Sequence, residues 1–244
     1  MLELLDAGLP TAAAGAFTTR AGGVSAPPWG SLNLAEHVGD EPGRVGANRA
    51  RLRRSLGGTR LAFAEQVHGA GVAVLDAVPS TGAVPGVDAL VTGAAGLGLV
   101  VLAADCLPVL LADPRAGVVG AAHAGRAGLA AGVLQATLQA MAGMGATPAG
   151  TNAVLGPAVC GGCYELPAEL ADEVGRRVPG SRATTRQGAP SVDLLAGAAS
   201  VLEAAGVALV SRVGGCTVEQ PGRFYSYRRD GVTGRHAGVV CLLR

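Results

Sequence analysis

The sequence predicts an α/β or α+β fold, in which mixed β-sheets are flanked by helices in layers. Short apolar runs punctuated by Gly, Pro and Asp recur along the chain, as they do in strands. Longer segments with apolar residues at helical spacing separate these runs. No linker, repeat or low-complexity tract divides the 244 residues, so residues 1–244 are predicted to form one domain.

The predicted strands share a short, strongly apolar run. They are residues 15–20, 61–68, 72–76, 98–104, 107–113, 117–123 and 236–244. The strand that begins at residue 61 is expected to end at His68 and to pair with the next apolar run, residues 72–76.

The predicted helices have caps or apolar faces that favour helical structure. Their bounds are Pro42–Leu56, Gly128–Met144, a segment opening at Pro167, and Val192–Ala205. The second helix is predicted because one face carries Leu129, Val133, Thr137 and Met141. Pro167 suits a first helical turn, and Ser191 is in position to cap the last helix.

Composition excludes several classes of function. The chain is 49% hydrophobic and 15% charged, so it can bury a sizeable core. Its formal net charge of +1 offers no electrostatic case for binding nucleic acid or an anionic membrane. Asp105 and Pro108 interrupt the longest apolar stretch, so no membrane span is predicted. The first residues lack the basic start of a signal peptide, and we therefore expect a soluble, cytoplasmic protein.

Two residue counts narrow the chemistry. The five cysteines are odd in number and sparse, so we expect reduced thiols rather than a disulfide framework. All 19 basic residues are Arg and none is Lys. This excludes a Schiff-base lysine and a lysine-dependent phosphate loop. Binding of an anionic substrate therefore falls to arginine.

A carboxylate and a thiol, Asp105 and Cys106, lie inside an apolar run, where an ionisable pair is costly unless it is paired or bound. His68, Cys106 and His123 each follow a predicted strand, and loops at strand ends gather distant groups into one site. Two His and one Cys can hold a catalytic zinc ion with a fourth position free. Asp105 would then orient a ligand or act as a general base.

The same residues allow other hypotheses. The spacing lacks HxxxH or paired CxxC, and a His at a strand end is often only hydrogen-bonded. Cys106 also fits a nucleophile with His68 or His123 as its base. A zinc-stabilised domain that binds a partner without turnover is a further hypothesis.

The remaining cysteines carry weaker signals. Cys160 and Cys163 have the C-x-x-C spacing of a redox motif or of half a zinc knuckle. Because the sequence contains no second CxxC, a Gly-rich loop is the preferred interpretation. Cys216 and Cys241 are predicted to be packing residues.

Arginine and aromatic residues cluster in one late segment. Residues 224–231, FYSYRRDG, place aromatics beside Arg228 and Arg229 in a chain that is only 3% aromatic. Stacking on a planar ligand is one interpretation. A solvated strand edge is the other, and it is preferred for Arg229.

A series of short motifs runs in order from about residue 16 to residue 240. They are FTTRAGGVS, SLNLAEHVGD, NR, QVHG, DALVT, ADCLPVLLADP, AAHAG, GPAV…CYE and FYSYRRDGVTGR. In this order they resemble the laccase-domain family, which was named for polyphenol oxidases and is viewed as purine nucleoside phosphorylases with adenosine deaminase activity. The resemblance implies one domain of mixed sheets flanked by helices.

The resemblance also implies a site. A metal, usually taken as zinc, would be held by His68, Cys106 and His123. Adenosine, inosine or methylthioadenosine would react with phosphate, and adenosine would also be deaminated, a reaction that zinc enzymes run elsewhere. The residues expected to bind nucleoside and phosphate, from motif position, are Arg20, Asn33, Arg49, Arg126, Tyr164 and Glu165.

The chain departs from the family pattern at two places. It reads HAGRAG where the family has HAGWRG, so Arg126 replaces Trp and Ala127 replaces Arg. It reads CGGCYE where the family has GPCCYE, so Cys160 stands at a Gly position. The older family name implies copper-dependent phenol oxidation, but four His are few for a multicopper cluster. The pattern leaves zinc against copper, the preferred nucleoside and the oligomeric state open.

Overall fold

The computed structural model describes residues 2–80 and 83–243. The described strands form two six-stranded sheets and one two-stranded sheet. They are β1 (Leu4–Asp6), β2 (Ala13–Thr18), β3 (Arg60–Glu65), β4 (Val72–Val74), β5 (Ala83–Pro85), β6 (Ala89–Thr92), β7 (Leu97–Ala103), β8 (Leu107–Asp113), β9 (Val118–Ala124), β10 (Asn152–Leu155), β11 (Arg182–Thr184), β12 (Pro190–Val192), β13 (Leu209–Arg212) and β14 (His236–Leu242). The helices are α1 (Pro42–Ser55), α2 (Arg126–Ala130), α3 (Val133–Ala142), α4 (Ala168–Arg177), α5 (Leu194–Ala204) and α6 (Tyr227–Asp230), with a 3-10 turn at Pro148–Gly150.

The two large sheets lie face to face. The first has the order β1-β2-β14-β7-β3-β5, and the second has the order β13-β10-β8-β9-β6-β4. Strands β7 and β14 of the first sheet contact β8 and β9 of the second. All seven residues of each of these four strands are buried. Burial on both faces explains why their sequences read as continuous apolar runs rather than as alternating patterns.

Three apolar clusters hold the layers together. The cluster between the sheets contains Phe17, Leu99 and Leu110. A second cluster packs α3 and α5 against the outer face of the second sheet and includes α4, which contacts the two-stranded sheet of β11 and β12. A third, with Leu52 of α1 and Phe63 of β3, covers the outer face of the first sheet. The predicted class, mixed sheets flanked by helices in layers, is confirmed.

Most predicted elements are confirmed to within a few residues. Helix α1 ends one residue before its predicted end. Strands β2, β7, β8, β9 and β14 occupy the predicted apolar runs. Arg244, at the end of the predicted closing strand, lies outside the described residues. Helix α4 begins at Ala168, one residue after its predicted start, and Pro167 is its N-cap residue rather than part of the first turn.

The single helix predicted over Gly128–Met144 is wrong. The chain forms α2 and α3 instead, and Gly132 separates them with a φ of 90°. Glycine adopts this left-handed conformation without the steric cost that a Cβ imposes. The cap predicted at Ser191 is also wrong, because Asp193 accepts from the backbone N–H of Ala196 at the start of α5. Within the described residues, no helix has the length and apolar character to cross a membrane.

The predicted pairing of residues 61–68 with 72–76 is wrong. Strand β3 ends at Glu65 and pairs with β5 and β7 in the first sheet. Strand β4 pairs with β6 in the second sheet. The chain therefore passes from one sheet to the other between β3 and β4, and His68 lies in this crossing.

Two Gly-to-Ala changes, one at a packed position and one at an exposed position, should have opposite effects on the free energy of unfolding. A Cβ at Gly156 would lie 2.3 Å from the ring of the fully buried Phe17, so Gly156→Ala should destabilise the fold by about 1–3 kcal/mol. A Cβ at Gly46, exposed on α1, would meet nothing within 4 Å, so Gly46→Ala should stabilise it by about 0.5–1 kcal/mol. Urea denaturation midpoints measure both. Equal midpoints for the two variants would contradict the packing described here.

Candidate metal centre

The structure brings His68, Cys106 and His123 together from three separate segments. One ligand atom of each lies within 4.8 Å of the other two. The Cys106 Sγ is 3.8 Å from His68 Nε2, and the imidazole rings are nearly perpendicular, with centroids 4.9 Å apart. His123 is on β9, Cys106 lies in the turn from β7 to β8, and His68 lies in the crossing after β3. The predicted ligand set is therefore a spatial cluster.

The backbone around the cluster is locally strained. His68 has a φ of 61° and Asp105 has a φ of 96°, in the region that favours glycine. Such conformations cost of order 1–3 kcal/mol and persist where the surroundings enforce them. Here one lies in the crossing after β3 and the other in the turn that carries Cys106.

Asp88 forms hydrogen bonds with two of the three predicted ligands, His123 and His68. Its carboxylate accepts from His123 Nδ1 at 2.8 Å. It also accepts from the backbone N–H groups of Val67, His68 and Gly69, at 2.7–3.2 Å. Asp88 is fully buried, immediately before β6. Sequence analysis missed this residue, although the Asp that opens the DALVT motif directly before a buried strand was an available signal.

The electrostatics of the cluster favour an ionised thiol beside charged imidazole. Burial raises the pKa of the Cys106 thiol, but His123 and His68 together lower it by more, so that the pKa falls to about 6. Burial lowers the pKa of His123, but Cys106 and Asp88 raise it to about 9. Burial likewise opposes ionisation of Asp88, yet hydrogen bonds from His123 and from backbone N–H groups hold its pKa below the usual range. The site therefore stabilises the thiolate that a metal requires.

The donor set fits a divalent metal ion. Zinc binds Cys at about 2.3 Å and His at about 2.0–2.1 Å, so tetrahedral ligand atoms lie about 3.6 Å apart. The Cys106–His68 separation of 3.8 Å is close to that value. A Cβ at Gly125 would come within 3.0 Å of the Cys106 Sγ and 3.1 Å of the His68 ring, so glycine keeps this side of the cluster free.

The cluster opens into a cavity of about 700 Å³. The three predicted ligands are part of its wall. Arginine and tyrosine side chains form much of the rest, and they are Arg126, Arg228, Arg235, Tyr164 and Tyr227. The guanidinium of Arg228 lies 4.8 Å from the centre of the Tyr164 ring. Arg126 and Tyr164, which the sequence predicted to bind substrate, line this cavity. Arg235 also lines it, although the sequence analysis did not predict it.

The other predicted substrate residues have different surroundings. Arg20 donates to the carbonyl groups of Gly30 and Pro221. Asn33 is fully buried and donates to the carboxylate of Asp40. Arg20 therefore orders the Gly- and Pro-rich loop after β2, and Asn33 orders the segment from Ala35 to Asp40. Neither residue is among those that line the cavity.

Arg49 and Glu165 also lie away from the cavity wall. Arg49 pairs with Glu36 and lies over the ring of Phe63, 3.9 Å from its centre. Glu165 is exposed and forms an isolated β-bridge with Ser191. Neither residue is among those that line the cavity.

Asp105 lies beside Cys106, but its carboxylate binds elsewhere. One oxygen accepts from the Thr217 hydroxyl at 2.6 Å, and the other accepts from the backbone N–H of Arg228 at 2.7 Å. Asp105 thus ties the Cys106 turn to the start of α6. The carboxylate that contacts an imidazole of the cluster is that of Asp88.

The segment 224–231 forms a helical turn, α6, rather than a strand edge. The solvated edge predicted for Arg229 is wrong, because its guanidinium donates to the carbonyl groups of Thr217 and Phe224 and pairs with Asp230. These bonds of the Arg229 side chain stabilise the turn. Its neighbour Arg228 is exposed and faces the cavity.

Comparison with known proteins identifies the family. The profile of the family described as multi-copper polyphenol oxidoreductase laccase matches residues 14–243. The chain belongs to this laccase family. A Streptomyces griseus relative named a purine nucleoside phosphorylase is 53% identical, over 93% of each chain. A Mycobacterium bovis relative with the same activity in its name is 50% identical, over 92% of this chain and 90% of that one.

Two solved structures share the fold of this chain. YlmD from Geobacillus stearothermophilus superposes with a TM-score of 0.89 at 33% identity, covering 97% of this chain and 95% of that chain. A Neisseria meningitidis protein superposes with a TM-score of 0.87 at 36% identity, covering 100% and 99%.

The HAGRAG segment, for which the resemblance implies HAGWRG, forms part of the cavity wall. Arg126 and Ala127 both line the cavity. Arg126 is the first residue of α2, and its guanidinium lowers the pKa of Tyr164 against the larger effect of burial, which raises it. A cation therefore lies at this part of the wall.

The contacts of Asp88 predict its effect on metal binding. Asp88→Asn replaces an acceptor-only carboxylate with an amide that also presents N–H groups to His123. Partners that orient a metal ligand are typically worth about 10–100-fold in metal affinity, and we expect a loss of that size. Zinc competition against a chromogenic chelator measures it.

Asp113→Asn provides the matched control. Asp113 is also buried and also accepts from three backbone N–H groups, those of Arg115, Ala116 and Thr147. It lies at the end of β8 remote from Cys106, so this variant should lower stability and leave zinc affinity unchanged. Equal losses of affinity in both variants would assign the effect to general destabilisation.

Proposed function

We propose that the chain is a zinc-dependent purine nucleoside phosphorylase that acts on adenosine, inosine and methylthioadenosine, and that it also deaminates adenosine. The observation that carries this proposal is one cavity whose wall combines a His₂Cys cluster, three arginines and two tyrosines. The names of its relatives support the reaction class. Purine nucleosides and phosphate are the substrates that follow.

The arginines support a phosphate site. In phosphorolysis a phosphate oxygen bonds to C1′ of the ribose while the C1′–N9 bond breaks and its electron pair leaves with the purine. The phosphate dianion needs cationic donors, and Arg126, Arg228 and Arg235 are the guanidinium groups of the cavity wall. Burial lowers the pKa of Arg235, so its charge is partly desolvated and would gain from a bound anion.

The tyrosines support a site for a planar base. Tyr164 already carries a guanidinium against its ring, and Tyr227 is 62% exposed at the cavity mouth. Aromatic rings of this kind stack on flat ligands over large apolar area. Asp105 acts here as a positioning residue, because its bond to the Arg228 N–H fixes α6 relative to the cluster.

The ligand cluster supports zinc. Asp88 accepts from His123 Nδ1, so the proton stays on that atom and Nε2 is left to bind the metal. When bound, zinc supplies Lewis acidity and lowers the pKa of water at the site to about 7. His68 is exposed at the cavity and completes the set with the Cys106 thiolate.

A cysteine hydrolase is the second candidate. The observation that favours it is the pKa of Cys106, near 6, with His123 beside the thiol. Copper-dependent phenol oxidation, implied by the family description, has less support. The chain has four His, and one of them, His236, is fully buried against Phe224.

Metal dependence separates these candidates. Zinc-loaded protein with inosine and phosphate should release hypoxanthine and ribose 1-phosphate. Chelation should abolish this release, and His123→Ala should abolish it together with zinc binding at the His68–Cys106–His123 cluster. Full activity in the chelated protein that is lost on alkylation would support the Cys106 nucleophile instead. Absence of base release at every metal loading would reject the phosphorylase.

The cavity arginines predict a selective effect on phosphate. Arg228→Ala or Arg235→Ala removes charged hydrogen bonds worth about 1.5–3 kcal/mol, which corresponds to a rise of roughly tenfold or more in the KM for phosphate. Arg54→Ala, exposed on α1 and away from the cavity, should leave that KM unchanged. Initial rates at varied phosphate measure it, and unchanged KM in both cavity variants would refute this assignment.

A further inference from the structure

A second cluster of sulfur and carboxylate ligands lies outside the cavity wall. It contains Cys160, Cys163, Cys216 and Glu219, whose ligand atoms all lie within 4.8 Å of one another. Glu219 Oε1 is 3.8 Å from the Cys160 Sγ and 3.3 Å from the Cys163 Sγ. For a tetrahedral zinc ion, bond lengths of about 2.0–2.3 Å place such atoms about 3.5–3.8 Å apart. The cluster thus has the dimensions of a four-coordinate site.

The sequence spacing has the form of a complete knuckle pair. Cys160 and Cys163 are separated by two residues, and so are Cys216 and Glu219. The second half was missed because its last ligand is a carboxylate rather than a thiol. The interpretation of Cys216 as a packing residue alone is incomplete, since its sulfur faces the Cys160 segment.

The backbone supports the cluster as it does in metal-binding turns. The N–H of Cys160 donates to the Cys216 Sγ at 3.4 Å, the kind of bond that stabilises a thiolate. The N–H groups of Cys163 and Tyr164 donate to the Cys160 carbonyl, which closes a tight turn through two glycines. A β-bridge between Ala158 and Cys216 sets the two segments side by side.

The composition of the cluster selects among metals. Three thiols and one carboxylate meet at this point, and Arg186 pairs with Glu219 and donates to the Cys163 Sγ at 3.5 Å. Soft sulfur ligands of this kind select zinc over magnesium or calcium.

We propose that Cys160, Cys163, Cys216 and Glu219 form a second, structural metal site that takes a thiophilic divalent cation such as Zn²⁺. Four protein ligands leave no position for substrate, which is the arrangement of structural rather than catalytic zinc. The proposal does not depend on the phosphorylase activity.

The position of this site gives it a function. Tyr164, in the cavity wall, directly follows Cys163, and Thr217, which binds Asp105, directly follows Cys216. A metal ion that joins the two segments therefore holds one wall of the cavity against the turn that carries Cys106. The metal ion at this site would therefore stabilise the position of the cavity wall relative to the candidate catalytic centre.

Metal stoichiometry tests the proposal directly. The full chain is reduced, loaded with Zn²⁺, gel-filtered and analysed for zinc and protein. Wild type should retain two equivalents. Cys106→Ser and the double variant Cys160→Ser/Cys163→Ser should each retain one, whereas Cys241→Ala, a buried cysteine on β14, should retain two.

Cobalt substitution reports the ligand type. Of the four sulfur ligands, three belong to the proposed site, so Cys160→Ser/Cys163→Ser should lose about three-quarters of the thiolate-to-cobalt absorbance. Cys106→Ser should lose the remaining quarter. A spectrum that Cys160→Ser/Cys163→Ser leaves unchanged would overturn the proposal.

A third measurement uses a variant that should fold, so that a loss of zinc cannot be attributed to unfolding. Glu219 is partly exposed, so Glu219→Gln should fold, and it should release the second zinc equivalent to a chelator at least about tenfold more readily. In a Cys106→Ser background, added Zn²⁺ should raise the melting temperature, because only the second site remains. A wild-type chain that retains one equivalent, together with a Cys106→Ser chain that retains none and shows no shift, refutes the second site.

Discussion

The buried carboxylate of Asp88 is the constraint on which the candidate centre depends. It lies at the start of β6 and binds both the imidazole of His123 and the backbone of the His68 turn. A fully buried charge is costly unless hydrogen bonds compensate it, and Asp88 accepts from four donors. The same bonds that stabilise the charge orient two of the candidate metal ligands.

The layered fold explains how the remaining groups reach this point. Strands β7, β8 and β9 are buried on both faces, so most of their side chains pack, and the candidate site lies at one end of them, where His123 is near the end of β9 and a turn joins β7 to β8. Cys106 lies at one such turn. Helix α6 reaches the same end through the bond between Asp105 and the Arg228 N–H. A cavity with candidate metal ligands on one wall and cations on another follows from this arrangement.

The two sulfur-containing clusters have different exposure and ligand number. The His68–Cys106–His123 cluster has three ligands and opens to the cavity, the pattern of catalytic sites. The cluster at Cys160 has four and is held between two loop segments, the pattern of structural sites. If both are occupied, one metal performs chemistry while the other fixes the wall that carries Tyr164.

The sequence by itself determined the class of the fold, the strands with continuous apolar runs, and the three residues that form the candidate ligand cluster, because burial and ligand chemistry depend on residue type and order. It did not determine that β3 and β4 belong to different sheets, nor the break at Gly132, since both depend on what packs against each segment. Only the tertiary structure decided that Asp88 orients His123, and that Arg235 rather than Arg20 reaches the cavity. These contacts join residues far apart in the chain, and the relevant distances arise only when the sheets have packed.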